Sequence, residues 1–163
     1  MIADGWPTVE LSNVQRMRVL SRAVPNAILG EAIVDAPFGR VWSWFSDIER
    51  SVPAFDGQVR RVRIQHRSGD EIEMTASSGP GALLPLKFDV LLEPDGWCLM
   101  IARARLYVVG MCAEPVGEDQ THVALLEAVP RRMGQFVGSY MRRHVHGDVR
   151  RIGRVLGVDA RPA

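Results

Sequence analysis

Lysine is nearly missing from this chain, since Lys87 is the one lysine among 20 basic residues. Cysteine is scarce as well. Cys98 and Cys112 are far apart and flanked by apolar residues, so we expect buried, reduced thiols and neither a disulfide nor half of a metal site. No apolar run approaches the roughly 20 residues of a membrane-spanning helix, and the first residues lack the basic start and apolar block of a signal peptide. We therefore expect a cytoplasmic protein with no transmembrane segment.

Familiar catalytic signatures are also missing. The sequence contains no G-x-S-x-G, no Walker motif and no dinucleotide-binding Gly pattern, and no serine or cysteine can be placed beside a base. A nucleic-acid reader would mix basic residues with aromatic stacking groups, and no such mixture is found. These absences argue against a DNA-binding protein, and they give no reason to expect a cofactor.

What the sequence does contain suits one domain of 163 residues, with 47% apolar and 24% charged residues. The net charge of +1 is unevenly spread. Residues 131–163 hold eight arginines against Asp148 and Asp159, a net of +6, so the remainder has a net charge of −5. This asymmetry bears on partners but establishes none.

The first third of the chain predicts helices around one strand. Residues 8–23 predict a short N-terminal helix that ends by Pro25, and residues 27–36 predict a strand. Pro37 suits the first turn of a helix, and a second short helix can restart near Asp47. Apolar residues then recur at intervals of three and four, the spacing of one buried helical face: Phe38, Val41, Trp42, Phe45, Ile48 and Val52.

From residue 59 the period changes to two, which predicts antiparallel strands. They cover 59–66, 70–77, 86–93, 97–103, 106–116 and 121–129, with turns at 67–69, 94–96 and 117–119. The boundary between Arg103 and Leu106 has no turn residue and is the weakest. Residues 131–156 return to helical periodicity, so a single long helix can cover the apolar face of the sheet.

This order resembles the START-like, polyketide cyclase/dehydrase superfamily (SRPBCC), whose architecture is called helix-grip. The resemblance is carried by GEAIVDAPFGRVWSWFSDIERSVPAF (30–55), the hairpins and the closing helix, over about residues 27–157. It implies an α+β fold in which a curved antiparallel sheet of about seven strands wraps around the C-terminal helix, with two short helices after the first strand. Residues 1–26 would be an N-terminal extension and residues 158–163 a C-terminal tail.

The resemblance further implies an apolar cavity between sheet and helix for a lipid, polyketide or isoprenoid-type molecule. The function expected first is binding or transport of such a ligand. The alternatives are a cyclase or dehydratase that uses the same cavity, and a non-catalytic protein that docks through an Arg-rich helix. The expected lining consists of Phe88, Trp97, Tyr107, Met111, Val137, Met141 and Val145.

The C-terminal helix carries the candidate chemistry in MRRHVHGDVRR (141–151). His144 and Asp148 are one turn apart near the apolar stripe and can form a hydrogen-bonded pair at the cavity wall. In the enzyme hypothesis His144 or Tyr107 acts as acid/base and Asp148 orients His144; the alternative is a structural pair that Arg151 or Arg105 neutralises. His146 lies roughly 200° from His144 around the helix, so the two cannot chelate one metal ion and no metal is expected.

Other features stay open at this level. Met141, Val145, Val149, Ile152 and Leu156 form a stripe roughly 80° wide. Gly134 and Gly138 begin it and indicate either close packing or room for a ligand. Arg143, Arg150 and Arg154 face the opposite side and predict a solvated ridge, to which an anionic membrane or RNA surface could bind. Glu127 and Tyr107 could point into the cavity, and residues 77–85 are either a connection or a lid. Oligomeric state is not predicted.

Overall fold

The computed structural model describes residues 10–78, 85–103, 107–129 and 131–163, and for residues 131–137 it describes only the backbone. The helices are α1 Asn13–Ala23, α2 Phe38–Phe45, α3 Ile48–Phe55 and α4 Arg131–Leu156. The strands are β1 Ile28–Val34, β2 Val59–Ser68, β3 Glu71–Ser78, β4 Leu86–Glu93, β5 Trp97–Ala102, β6 Val108–Val116, β7 Gln120–Ala128 and β8 Ala160–Pro162. The expected segments 79–84 and 104–106, with Arg105, lie outside the described residues.

All described strands belong to one antiparallel sheet in the order β2-β3-β4-β5-β6-β7-β1-β8. Successive strands pair as hairpins from β2 to β7, which the turn residues predicted. The first strand returns to the far side of β7, where Ile28 pairs with Glu127 and Val34 with Thr121. This places the start of the chain beside its end, and α4 follows directly on β7.

The prediction of a free C-terminal tail was wrong. Gly157 turns the chain back at φ +68, and the Asp35 N–H donates to the Asp159 carbonyl at 3.0 Å. The short β8 then pairs with β1, so the sheet has eight strands rather than about seven. Three residues ending at a proline are too short to show a strand period, which is why the sequence did not reveal this edge.

One face of the sheet packs against α4 through the predicted apolar stripe. Met141, Val145, Val149 and Ile152 are buried there. The helix comes close to β1 because Gly30 has no side chain: a Cβ at Gly30 would lie 2.9 Å from Val149 Cγ2 and 3.0 Å from Val145 Cγ1. The close approach thus depends on a strand glycine, whereas no described atom lies within 4 Å of a Cβ placed on Gly138. Close packing does not explain Gly138, and the side-chain position of Gly134 is outside the described part.

The other face of the sheet is covered by α1, which creates a second core. Ser12 and Gln15 form a capping box at its start. Val14 and Met17 of α1 are buried against a group on the strands that includes Trp97, Cys112 and Leu126. Both faces of β5–β7 are therefore apolar because both are covered. Cys98 and Cys112 are buried and unpaired, and no described helix is long and apolar enough to cross a membrane.

Candidate ligand cavity and acidic cluster

A cavity of about 390 Å³ opens between one end of the sheet and the middle of α4. Its wall combines apolar side chains with a few polar ones. It is lined by Asp56, Gln58, Val59, Ala76, Ser78, Leu86, Phe88, Tyr107, Val129, Tyr140 and Met141. Residues from the α3–β2 junction, from β3 and β4, and from α4 thus contribute to the same space.

The structure brings some of the expected lining residues to this cavity. Phe88, Tyr107 and Met141 line it, and the Phe88 and Tyr107 rings meet edge to face with centroids 6.5 Å apart. Met111 and Val145 are instead fully buried in the core between sheet and α4, and they do not appear in the described wall. The side chain of Val137 lies outside the described part.

Trp97 corrects the expected lining. It belongs to the second core beneath α1, with the Arg16 guanidinium 4.2 Å from its ring centroid. The prediction placed it toward the C-terminal helix, but a strand that is apolar on both faces gives no parity signal to decide its orientation. The apolar partner on its own face was the N-terminal helix.

Four ionisable side chains meet behind the cavity wall. We call Asp56, Glu127, His144 and Asp148 the acidic cluster; one ligand atom from each lies within 4.8 Å of those of the others. Asp56 follows α3, Glu127 lies near the end of β7, and His144 and Asp148 are one turn apart on α4. The cluster joins the cavity through Asp56, which also lines it.

His144 is the centre of this cluster. Its Nε2 lies 3.1 Å from Asp148 Oδ2, 3.5 Å from Asp56 Oδ1 and 3.7 Å from Glu127 Oε1. The His144 side chain is only 7% exposed and that of Asp148 is 0% exposed. Among the described residues, neither Nε2 nor Asp148 Oδ2 has a hydrogen-bond partner of suitable geometry. The expected i, i+4 pair is thus a close contact without a formed hydrogen bond.

Each carboxylate is held from its outer side. The Arg151 guanidinium donates to Asp148 Oδ1 at 2.7 Å and to the Phe55 carbonyl at 3.1 Å. The Tyr107 hydroxyl donates to Glu127 Oε2. Asp56 Oδ1 accepts the backbone N–H groups of Gln58 at 2.7 Å and Val59 at 3.2 Å. Arg151 is therefore the partner that neutralises Asp148, as one of the sequence alternatives stated.

Crowding and burial change the acidity of these groups. Burial raises the pKa of the Glu127 carboxyl to about 7, against the lowering effect of the Tyr107 hydrogen bond. Burial also raises the pKa of Asp148 to about 6, against His144 and Arg151. The Asp56 carboxylate, with smaller contributions from Glu127 and Asp148, raises the pKa of His144, and burial opposes it. Burial and the Glu127 charge raise the pKa of Tyr107.

His146 lies apart from this site. It is exposed on α4, as are Arg143, Arg150 and Arg154, which is the arrangement that the helical spacing predicted for a solvated ridge. Tyr140 stands nearer the cavity, where its hydroxyl accepts from Gln58 Nε2 at 3.0 Å and its ring stacks on His144 with centroids 6.1 Å apart.

Sequence reasoning missed Asp56 and only partly anticipated Glu127. The Phe55–Asp56–Gly57 segment has the pattern of an ordinary helix end, and nothing local links it to a histidine 88 positions later in the chain. Glu127 did carry a signal, because it is an acidic residue inside an otherwise apolar strand, where a buried carboxylate requires a partner.

The α+β architecture, with a long C-terminal helix against a single antiparallel sheet, is the helix-grip fold. It is shared by the Zhui aromatase/cyclase from Streptomyces sp. R1128, with a TM-score of 0.63 and 12% identity over 80% of this chain and 93% of that one. TTHA0849 from Thermus thermophilus gives 0.63 and 14% over 80% and 96%. Truncated norcoclaurine synthase from Thalictrum flavum gives 0.55 and 16% over 80% and 92%. Such identities show a common fold alone. No family model and no curated protein matches the sequence.

Proposed function

We propose that the protein binds a largely apolar small molecule with an oxygen-containing group in the cavity between sheet and α4. The observation that carries this proposal is the cavity itself, about 390 Å³ in volume, with a wall that is mostly apolar but includes Asp56 and Tyr107. Ligand sites commonly have this size and combine an apolar wall with a few polar groups. A lipid, a polyketide or an isoprenoid-type molecule has the corresponding chemistry.

Replacing Ala76 with tryptophan is expected to weaken binding of an apolar probe at least about tenfold, because the indole would occupy part of the cavity. Ala76 lines the cavity from β3. The probe is N-phenylnaphthylamine, a neutral dye whose fluorescence rises in apolar surroundings, titrated into purified protein. Native mass spectrometry of the same sample would report any co-purified ligand.

Thr75→Trp is the matched control, because adjacent strand residues point to opposite faces of the sheet. This variant should bind the probe like the wild type. If Ala76→Trp is folded by circular dichroism and still binds the probe with unchanged affinity, the cavity is not the binding site and the proposal is wrong.

A second candidate function is ring closure on a bound ketone, of the cyclase or dehydratase type. It is favoured by the two polar groups of the cavity wall: Asp56 can accept a proton, and the Tyr107 hydroxyl can donate one. In such a step Asp56 removes a proton from the carbon beside one carbonyl. That carbon bonds to a second carbonyl carbon, whose oxygen takes a proton from Tyr107, and water then leaves. The fold shared with an aromatase/cyclase supports this candidate without establishing it.

Tyr107→Phe is expected to slow such a reaction at least about tenfold, since proton transfer by a positioned side chain commonly contributes more than this. The assay follows formation of a cyclohexenone from an acyclic δ-diketone by ultraviolet absorbance. Tyr140→Phe is the control, because that hydroxyl contacts Gln58 rather than the cluster. If the wild type gives no rate above buffer while it binds the probe, the protein is a binder and not this kind of enzyme.

Docking of the arginine ridge on an anionic surface stays a prediction. Salt-dependent retention on anionic vesicles, lost when Arg143, Arg150 and Arg154 are replaced together, would support it.

A further inference from the structure

We propose that the acidic cluster binds one divalent transition-metal ion, with zinc as the reference ion. The proposal concerns the residues behind the cavity wall and goes beyond ligand binding in the cavity. The sequence excluded only a metal site built from His144 and His146. The structure instead gathers His144 with carboxylates from three separate parts of the chain.

The spacing of the donor atoms matches a coordination sphere. Zinc lies about 2.0–2.2 Å from imidazole nitrogen and carboxylate oxygen, so neighbouring ligands of a tetrahedral ion are about 3.3 Å apart. The distances from His144 Nε2 to the three carboxylates are 3.1, 3.5 and 3.7 Å. These values bracket the tetrahedral spacing, so an ion at the common centre requires little movement.

Two atoms of the cluster are directed inward without a partner. His144 Nε2 and Asp148 Oδ2 are buried and make no hydrogen bond within the described structure. An unsatisfied buried polar atom costs roughly 1–3 kcal/mol. An ion bound to both atoms would remove this cost, and it would use the lone pair of a neutral imidazole together with a carboxylate oxygen, which zinc commonly takes as ligands.

The outer contacts of the cluster are those expected around metal ligands. Arg151 binds the second oxygen of Asp148, Tyr107 binds the second oxygen of Glu127, and two backbone N–H groups fix the Asp56 carboxylate. Such second contacts orient ligands and commonly change metal affinity by about 10–100-fold when removed. They leave the inward-facing atoms available.

Charge also favours a small cation. Three carboxylates meet one imidazole and the Arg151 guanidinium. If the imidazole is neutral, their formal charge is −2, which one divalent ion would cancel. An organic ammonium group would need a path to the centre, but His144 Nε2 and Asp148 Oδ2 have almost no accessible surface. An ion is small enough to occupy the space between them.

The test is zinc titration of tag-free, chelator-treated protein by isothermal calorimetry, followed by substitution with Co²⁺. We expect one Zn²⁺ per chain and a visible Co²⁺ spectrum typical of a tetrahedral site with nitrogen and oxygen ligands. His144→Gln should weaken zinc binding at least about tenfold and remove the cobalt spectrum. Asp148→Asn should do the same, and His144→Gln still decides the question if that variant does not fold.

His146→Gln is the matched control, because His146 is exposed on the same helix. It should leave zinc affinity and the cobalt spectrum unchanged. Absence of zinc binding by folded wild-type protein would overturn the proposal, and so would stoichiometric binding that His144→Gln leaves intact. In that case the cluster is a proton-sharing network of charged side chains.

This result is separable from the cavity proposal. N-phenylnaphthylamine binding is measured on the chelator-treated protein, so a folded protein without a metal site can still bind the dye. Conversely, Ala76→Trp should abolish dye binding and leave zinc binding in place, since Ala76 is not part of the acidic cluster.

Discussion

Replacing Gly96 with alanine is expected to lower the free energy of unfolding by about 3–5 kcal/mol, from backbone strain and steric overlap together. Gly96 closes the turn between β4 and β5 at φ +107, where residues with a side chain are strained. A Cβ at this position would overlap the Ala113 carbonyl oxygen and lie 2.9 Å from Asn13 Nδ2. The Asn13 side chain also donates to the Asp95 carbonyl at 2.7 Å, so the turn joins α1 to the sheet.

Gly117→Ala separates the two causes of this loss. Gly117 also has a positive φ, +71, but no described atom lies within 4 Å of its Cβ position. It should show backbone strain of about 1 kcal/mol without overlap. Urea unfolding of both variants measures the difference, and equal losses would show that the close approach of β6 to the turn is not as tight as the structure has it.

Glu127→Gln is expected to raise the free energy of unfolding of the metal-free protein by about 1–3 kcal/mol at about pH 8. Glu127 is buried beside Asp56 and Asp148, with His144 and Tyr107 facing it. Glutamine keeps an acceptor for the Tyr107 hydroxyl and removes one of three buried negative charges. Functional sites commonly lower stability in this way.

The gain should depend on pH in a defined direction. Burial raises the pKa of folded Glu127 to about 7 from its ordinary 4.5, so the folded protein binds a proton more tightly than the unfolded chain. The contribution of Glu127 is therefore fully present at low pH and is lost as pH rises through about 4.5 to 7. The wild type and Glu127→Gln should have similar stability near pH 4 and diverge as pH rises.

Chemical denaturation in the presence of a chelator, repeated at several pH values, measures this divergence. Asp148, whose pKa burial also raises, is present in both proteins and largely cancels in the comparison. Glu71→Gln is the control, because Glu71 is exposed on β3 and its replacement should change stability by no more than about 0.5 kcal/mol. A loss of stability for Glu127→Gln at high pH would show that the folded protein holds Glu127 ionised.

The fold was predictable because its main elements carry local periodic signals. The period of two marked β2–β7 within a few residues, and the stripe from Met141 to Ile152 marked the buried face of α4. The short β8 had no period of its own. Trp97 shows the limit of parity, because alternation assigns residues to two faces without saying which face meets which helix when both are covered.

The site was predictable only along one helix. His144 and Asp148 could be paired because four residues on a helix correspond to about one turn. Asp56 and Glu127 come from distant parts of the chain, and only the packing of α4 against β7 and the end of α3 brings them within 4.8 Å of one another. Spacing in sequence cannot report such convergence, although an acidic residue in an apolar strand indicates that a partner must exist.

The second core beneath α1 has a consequence for how freely the cavity face can change. Val14 and Met17 bury the outer face of β5–β7 independently of the cavity and the acidic cluster. Part of the folding free energy therefore comes from contacts that substitutions in the ligand wall do not touch. Descendants of this chain could change the wall residues, and hence the ligand they accept, while the outer core keeps the sheet folded. Mutational tolerance should accordingly be greater at Val59, Ala76 and Leu86 than at Met17.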